Sequence, residues 1–290
     1  MLEKAFSAGA DALVLDLEDA VTRDRKATAR ALVSRALSDP RRARLRMLVR
    51  VNGAGTPWSH RDLLALAALD TPPDAIVVPK VESALDLGYV ERLLDGAQRE
   101  AGQHARIALH ALIESAAGLA NVREIAGGST RLRALVIGYA DLAASLGRAA
   151  SDLDSWRPSQ DAVLVAARAN GLEAVDGPYL RTDVDEGFWA AATRARELGY
   201  DGKWAIHPGQ LANLNATFSA TQEELAHARA VIAALDAADR DRGAGAVALD
   251  GQMLDEALRV SAERLLSRAL AFGDIDPLED ARSSRDRIST

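Results

Sequence analysis

Glu114 and Asp141 are the residues whose types and spacing best suit a metal site. Glu114 ends the apolar run 106–114, and Asp141 follows the next apolar run, 133–139. If these runs are neighbouring parallel strands, about 4.8 Å apart, both carboxylates project from the same edge of the sheet. Two carboxylates at such a short distance repel each other, so one takes up a proton or a cation lies between them. Hard oxygen ligands favour Mg²⁺ as that cation. The alternative, that each acid caps the following helix, is equally compatible with the spacing.

A cation and three acids lie at the ends of the first two predicted strands. Arg50 closes the run 46–51, where a guanidinium could clamp a substrate carboxylate or phosphate through paired hydrogen bonds. The alternative is an ion pair with acids at the neighbouring strand end, and the residues alone favour that alternative. We interpret these acids as partners of the metal ligands rather than as ligands: Asp16, Glu18 and Asp19.

Lys80 and His207 are candidates for binding an anionic substrate. Lys80, one of four lysines, ends the run 75–80 and would form a Schiff base only if it were desolvated. His207 follows the last predicted strand, where a lone histidine is more often a structural hydrogen bonder than a base. Cysteine is absent and the five histidines lack HExxH spacing, so a zinc site is not expected.

The elements that position these residues indicate an α/β fold. Short apolar runs alternate with Ala- and Leu-rich stretches that carry charges at helical spacing. Because the runs are apolar at consecutive positions, the strands are predicted to be buried on both faces, which is typical of a barrel or an open doubly wound parallel sheet. The seven predicted strands are 11–17, 46–51, 75–80, 106–114, 133–139, 171–177 and 203–208. The predicted helical stretches between them are 59–69, 83–95, 157–170 and 185–198.

The pattern along the chain changes after the last strand. We expect a (β/α) barrel domain over 1–215, a lid or arm over 216–275, and a disordered tail over 276–290, where apolar residues are scarce. The arm is predicted to contain a helix over 221–240, a glycine-rich turn over 243–251 and a second helix.

Composition excludes several classes of function. The 35 basic and 42 acidic residues give a formal charge of -7, so no strong field attracts nucleic acid. No apolar run approaches the ~20 residues of a membrane span, and the start MLEKAFSAGA does not resemble a signal peptide. A chain without cysteine suits a reducing compartment. We therefore expect a cytoplasmic protein with no nucleic-acid or membrane partner.

Six sequence blocks, in order and each at a predicted strand end, resemble the HpcH/HpaI aldolase and citrate lyase β-subunit family, which includes malyl-CoA and citramalyl-CoA lyases. The blocks are LDLEDAV (15–21), RVNG (50–53), VPKVES (78–83), LIESAAGL (112–119), GYADLAASLG (138–147) and GKWAIHPGQ (202–210), and DGQMLDE (250–256) extends the likeness into the arm. The resemblance implies a TIM (β/α)8 barrel of the phosphoenolpyruvate/pyruvate superfamily type with a C-terminal helical lid. Family members usually begin with a strand that reads like RSLLFVPG, so the first barrel strand is expected to be missing here.

The resemblance also implies residue roles. The acids that match Glu114 and Asp141 bind Mg²⁺, and the arginine that matches Arg50 contacts substrate. The acid that matches Asp255 is catalytic and belongs to a lid over a neighbouring subunit's site, which implies a homotrimer or a hexamer built from trimers.

The implied function is Mg²⁺-dependent, reversible cleavage of a 3-hydroxy-carboxyacyl-CoA, such as malyl-, citramalyl- or citryl-CoA, into acetyl-CoA and an oxo acid. Three alternatives stay open at this point. They are thioester hydrolysis at the same site, a Schiff-base aldolase that uses Lys80, and a citrate lyase-type subunit that acts only on carrier-bound acyl groups.

Overall fold

The computed structural model describes residues 5–149, 154–240, 247–249, 252–273 and 275. The chain divides into two compact units, Met1–Thr217 and Phe218–Thr290. The domain ranges expected from the sequence stay a prediction, and the tail predicted over 276–290 lies outside the described residues.

The first unit is built on a seven-stranded parallel sheet whose strands follow one another in chain order. The strands are β1 (Ala12–Asp16), β2 (Arg46–Arg50), β3 (Ala75–Val78), β4 (Ala108–Ile113), β5 (Leu132–Ile137), β6 (Glu173–Asp176) and β7 (Gly202–Lys203). An observed strand lies at each predicted position, but the last prediction, 203–208, is wrong in extent, because β7 is only Gly202–Lys203. A doubly wound sheet reverses its strand order at a switch point, so the sequential order identifies this sheet as a half-barrel instead.

Apolar side chains cover both faces of the central strands, as predicted. All four residues of β3 are buried, and so are five of the six residues of β5. One face of the sheet carries a buried cluster of Leu48, Ala75, Val77, Leu112 and Val136, and the other packs against the connecting helices. Burying each large apolar side chain contributes about 1.5–3 kcal/mol, so this core holds the strand ends in a defined register.

Helices connect the successive strands, and the four predicted helical stretches are confirmed. The α-helices described in this unit are α1 (Lys26–Leu37), α2 (Ser59–Ala67), α3 (Ala84–Glu100), α4 (Ala116–Ala120), α5 (Val122–Ala126), α6 (Tyr139–Leu146), α7 (Arg157–Ala169), α8 (Glu186–Leu198) and α9 (Leu211–Phe218). Local side chains cap the starts of some of these helices. Ser83 and Asp86 form a capping box at α3, and Asp185 accepts a hydrogen bond from the amide of Phe188 at α8.

The second unit contains α10 (Gln222–Arg240), β8 (Val247–Leu249), β9 (Gln252–Leu254) and α11 (Glu256–Phe272). Its two predicted helices are confirmed, and they pack through apolar residues that include Leu225, Val231 and Leu266. The turn predicted over 243–251 is wrong in part, because β8 pairs with β9 as an antiparallel hairpin. The short apolar run of β8 was hidden by the glycines on either side of it. Residues 243–246, 250 and 251 lie outside the described part of the chain.

None of the described helices combines the length and apolar character that crossing a bilayer requires.

Candidate active site

Glu114 directly follows β4, at the carboxyl edge of the sheet, and only 3% of it is exposed. Its Oε1 accepts a hydrogen bond of 2.8 Å from the amide of Lys80, which follows the neighbouring β3. Gly138 closes the other side, because a Cβ atom there would lie 2.7 Å from Glu114 Cβ and 2.8 Å from Oε2. The absence of a Cβ atom at Gly138 therefore leaves room for the Glu114 side chain.

The surroundings of Glu114 disfavour its anionic form. Burial is the largest cause, and repulsion by Glu18 and Asp141 adds to it, so the pKa of Glu114 rises to about 8 even though the Lys80 amide favours the anion. A cation beside this carboxylate would favour its anionic form and lower its pKa. The electrostatics therefore suit a metal ligand better than an isolated acid.

Asp141 lies half-buried in the first turn of α6, after the strand adjacent to β4. The helix-cap alternative for the two acids is wrong. Ser115 caps α4, since its hydroxyl accepts a hydrogen bond of 3.0 Å from the amide of Gly118. Helix α6 begins after Gly138 without a side-chain cap. Neither acidic side chain is occupied in capping the helix that follows it.

Arg50 is paired with acids at the end of β1. Its Nε and Nη2 donate to the two Asp16 carboxylate oxygens at 2.9 and 2.6 Å. Its Nη1 lies 3.2 Å from Glu18 Oε2, a close ion pair without hydrogen-bond geometry, so that oxygen is buried without a hydrogen-bond partner. Burial disfavours the charged guanidinium, but these two acids raise the pKa of Arg50 above its ordinary value. The structure thus contains the ion pair, and substrate contact by Arg50 stays a prediction.

Lys80 joins the same cluster from the end of β3. Its Nζ donates to Glu18 Oε1 at 2.9 Å and lies 3.5 Å from Asp19 Oδ2. Burial opposes its charge, but the two acids raise the pKa of Lys80 above its ordinary value. A protonated lysine is not a nucleophile, which argues against the Schiff-base alternative.

The backbone of Lys80 is strained in a way that serves Glu114. Its φ of 54° lies in the left-handed region, which non-glycine residues rarely adopt. In this conformation its amide donates to the Glu114 carboxylate. Such strain persists where the surrounding structure determines it, and it clusters at functional sites.

Asp16 and Glu18 are opposite in their electrostatics. Burial acts to raise the pKa of Asp16, but the Arg50 side chain and nearby backbone amides hold it below its usual value. The pKa of Glu18 is raised by burial, which Lys80 and Arg50 only partly offset. Asp16 is therefore the firm partner of Arg50, and Glu18 adds negative charge to the surroundings of Glu114.

The residues at this edge suit Mg²⁺. Among the described residues, no group of three or more His, Cys, Asp or Glu side chains could by itself enclose a metal ion. Mg²⁺ commonly uses only one or two carboxylates and completes its shell with water and substrate oxygens. Glu114 and Asp141 match that donor set, and the raised pKa of Glu114 shows that the Lys80 amide does not fully offset the burial of its charge.

Two buried polar residues that the sequence analysis missed stabilise the loops of this edge. Lys26 in α1, 6% exposed, donates to the carbonyl oxygens of Leu17 and Glu18, both at 2.7 Å. Asp62 in α2 accepts hydrogen bonds from the backbone and side-chain nitrogens of Asn52 at 3.1 and 2.6 Å. A polar residue on an amphipathic helix produces no periodic signal, and the scarcity of lysine is the one sequence feature that could have indicated Lys26.

His207 and Asp255 are held by local hydrogen bonds in the described structure. His207 is exposed after β7, and its Nδ1 accepts a hydrogen bond of 3.1 Å from the amide of Gly209. Asp255 is exposed in the second unit and caps α11 by accepting a hydrogen bond of 3.1 Å from the amide of Leu258. The substrate-binding role of His207 and the catalytic role of Asp255 stay predictions.

Known proteins resemble this chain over most of its length. The sequence profile of the HpcH/HpaI aldolase/citrate lyase family matches residues 1–208. An L-malyl-CoA/beta-methylmalyl-CoA lyase from Cereibacter sphaeroides is 38% identical, and the match covers 93% of this chain and 90% of that protein. A (3S)-malyl-CoA thioesterase from the same organism is 39% identical with the same coverage of both chains, 93% and 90%. The structure of CitE from Mycobacterium tuberculosis in complex with magnesium, acetoacetate and coenzyme A is 33% identical, has a TM-score of 0.71, and the match covers 92% of each chain.

The family match extends over every strand of the half-barrel and over the whole edge from Asp16 to His207. Relatives above 30% identity cover nearly the whole chain. The chain therefore belongs to the HpcH/HpaI aldolase/citrate lyase family.

Proposed function

We propose that the protein is a Mg²⁺-dependent carbon–carbon lyase that reversibly cleaves a 3-hydroxy-carboxyacyl-CoA, such as malyl-, citramalyl- or citryl-CoA, into acetyl-CoA and an oxo acid. One observation carries the proposal. Glu114 is buried, its pKa is raised to about 8, and Asp141 on the adjacent β/α unit contributes to that rise. The malyl-CoA lyase relative and the CitE complex with magnesium and coenzyme A support it.

Each residue has a distinct role in this proposal. Glu114 and Asp141 hold the Mg²⁺, which when bound supplies Lewis-acid polarisation of the hydroxyl and carboxylate oxygens of the oxo-acid half. Arg50, oriented by Asp16, stabilises the negative charge that develops on the enolate of the thioester. Anion binding by Lys80 and His207 orients the substrate carboxylate.

In the cleavage direction, the bond between the carbinol carbon and the α-carbon of the thioester breaks. The electron pair stays with the α-carbon as an enolate, and the hydroxyl proton passes to solvent water as the carbonyl of the oxo acid forms. Asp255 then donates a proton to the α-carbon, which gives acetyl-CoA. A positioned acid of this kind typically contributes ~10² to 10⁴-fold in rate.

We also propose that the half-barrel is part of a TIM (β/α)8 barrel and that the second unit is its helical lid. We further propose that the protein is cytoplasmic and forms a homotrimer or a hexamer built from trimers. The chain-order parallel sheet and the family membership support the barrel. Light scattering coupled to gel filtration tests the oligomer, and a monomer at micromolar concentration would contradict it.

The function is tested with the purified protein, Mg²⁺, acetyl-CoA and three oxo acids: glyoxylate, pyruvate and oxaloacetate. CoA species are followed by mass spectrometry beside Glu114→Gln and a control, Glu100→Gln, at an exposed glutamate of α3. We expect a new hydroxyacyl-CoA in the wild type and the control, and none with EDTA or Glu114→Gln. Product formation that survives both EDTA and Glu114→Gln would contradict the proposal.

Thioester hydrolysis is a second candidate, favoured by the thioesterase relative at 39% identity. Release of free CoA from malyl-CoA without an oxo acid would identify it. A third outcome is a folded, Mg²⁺-binding protein that is inactive on every free CoA ester and becomes active with an acyl-carrier partner. That result would indicate a citrate lyase β-like subunit.

A further inference from the structure

We propose that Tyr139, Asp176 and Lys203 are positioning residues. They form a buried group, separate from Arg50, Lys80 and the acids paired with them, and this group holds the first turn of α6, and with it Asp141, in a metal-binding geometry. The inference rests on the proposed metal site and adds residues to which the mechanism above gives no role.

The group begins with an ion pair between two neighbouring strands. Asp176 ends β6 and pairs in register with Lys203 of β7, and both side chains are 1% exposed. Lys203 Nζ donates to Asp176 Oδ2 and, at 2.6 Å, to the carbonyl of Gly177. Burying two charges costs desolvation that their attraction need not repay. The pair therefore calls for a reason other than stability.

The ion pair is connected to the hydroxyl of Tyr139 by hydrogen bonds. The second oxygen of Asp176 accepts a hydrogen bond from the hydroxyl of Tyr139. The same hydroxyl accepts a hydrogen bond of 2.7 Å from Gln160 Nε2. The backbone carbonyl of Gln160 accepts one of 2.9 Å from the hydroxyl of Tyr200. The Tyr139 hydroxyl is therefore fixed both as a donor and as an acceptor.

Packing alone does not hold the Tyr139 ring. Trp156 lies against it with ring centroids 5.1 Å apart, and a side chain at Gly177 would collide with it. Tyr139 also lines a cavity of about 220 Å³, together with Tyr179 and Ala191. The hydrogen bonds therefore act together with this packing to fix where the ring lies.

Tyr139 transmits this position to the metal site through the backbone. It is the first residue of α6, and Asp141 lies two residues later in the same turn. Gly138, directly before it, is the residue that packs against Glu114. A hydrogen bond of 3.1 Å from the amide of Leu142 to the carbonyl of Gly138 closes the turn. A displacement of the Tyr139 backbone would therefore shift Asp141 and the contact between Gly138 and Glu114.

The test measures Mg²⁺ affinity by calorimetry, with Mn²⁺ as an electron paramagnetic probe, for Tyr139→Phe and Asp176→Asn. Side chains that orient metal ligands typically contribute about 10- to 100-fold to metal affinity. We expect affinity to fall about tenfold in Tyr139→Phe, which keeps the ring, and further in Asp176→Asn, which also leaves Lys203 unpaired.

Asp201→Asn is the matched control. Asp201 pairs with Arg168 at 2.7 Å and accepts a hydrogen bond from the amide of Ala174, so it joins the same two strands at their opposite end. We expect it to lower the melting temperature and leave Mg²⁺ affinity within twofold of the wild type. Equal losses of affinity in Asp201→Asn and Asp176→Asn would reduce the group to a structural role and overturn the proposal.

Hydrogen–deuterium exchange of residues 138–146 in the metal-free protein separates this inference from the proposed function. Faster exchange there in Tyr139→Phe and Asp176→Asn, but not in Asp201→Asn, supports the positioning role even if the wild type binds no Mg²⁺. Failure of Glu114→Gln to change Mg²⁺ binding would contradict the metal site alone. Unchanged exchange and unchanged affinity in both variants would overturn the positioning role.

Discussion

The acids at the carboxyl edge of the sheet differ in what balances their charge. Asp16 has two hydrogen bonds from Arg50, whereas Glu18 shares Lys80 and keeps one buried oxygen without a hydrogen-bond partner. Glu114 receives only a backbone amide in the described structure. Residues of one type therefore take different roles according to their partners, and the least compensated acid is the one best suited to a cation.

Lys26 illustrates a residue that acts without touching the proposed chemistry. Lys26→Met is expected to lower the free energy of unfolding by about 2–4 kcal/mol, because two buried carbonyl oxygens lose a charged donor. Because those carbonyls belong to Leu17 and Glu18, kcat/KM is expected to fall as well. Urea denaturation and the lyase assay measure the two effects.

Arg25→Met serves as the control for Lys26, because Arg25 is the preceding residue and is exposed. We expect its stability to stay within about 0.5 kcal/mol of the wild type. Equal effects of the two substitutions would contradict the role given to Lys26.

Gly138→Ala tests the close approach between α6 and Glu114. The φ of Gly138, −109°, is accessible to alanine, so the added Cβ acts only through its contact with the Glu114 side chain. We expect a loss of about 1–3 kcal/mol in stability from overpacking, and at least tenfold weaker Mg²⁺ binding. Thermal denaturation and calorimetry measure these quantities.

The control for this steric argument is Gly88→Ala in the middle of α3, where an added Cβ would meet no atom within 4 Å. Alanine there is expected to stabilise the helix by about 0.5–1 kcal/mol. If Gly138→Ala were equally harmless, Glu114 would not depend on that glycine.

At the scale of elements, β4 ends beside the proposed metal ligand Glu114 and has a half-buried polar residue in its middle. His110 pairs in register with Val77 of β3 and Ala134 of β5. Burial, together with the charge of Arg46, lowers the pKa of His110 to about 4. The folded protein therefore keeps this imidazole neutral in a range where the unfolded chain, with a pKa near 6.5, takes up a proton.

This difference predicts a pH dependence of stability. Between about pH 6.5 and 4 the unfolded state binds more protons, so the contribution of His110 to stability is present above that window and is lost as the pH falls through it. Between pH 7 and pH 5 we expect the wild type to lose about 1–2 kcal/mol more than His110→Asn. Urea denaturation at the two pH values measures the difference.

The exposed His104 supplies the control for that measurement. His104→Asn is expected to keep the pH dependence of the wild type. The same flattening of the pH dependence in both variants would assign the effect to histidines in general rather than to the middle of β4.

At the scale of the whole molecule, the two compact units carry different parts of the proposed reaction. The proposed metal ligands Glu114 and Asp141 lie in the first unit, and Asp255 caps a helix of the second. Asp255→Ala is expected to lower kcat by ~10² to 10⁴-fold, because a proton donor is lost, while Mg²⁺ affinity stays unchanged. Steady-state kinetics with calorimetry separates the two quantities.

Glu256→Ala, at the adjacent acid in the first turn of α11, is the control for a mere helix-start effect. It should keep kcat within a few-fold of the wild type. Full turnover in Asp255→Ala would contradict the proton-transfer role.

The sequence by itself determined the first six strands, four of the helices between the strands, the family, and the placement of acids at the strand ends. These features follow from local periodicity and from short motifs, each contained within a few residues. The tertiary structure decided which charges meet: Arg50 with Asp16, Lys26 with two backbone carbonyls, and Tyr139 with Asp176 and Lys203. Such pairs join residues far apart in the chain, and their partners depend on register and side-chain direction, which periodicity does not encode.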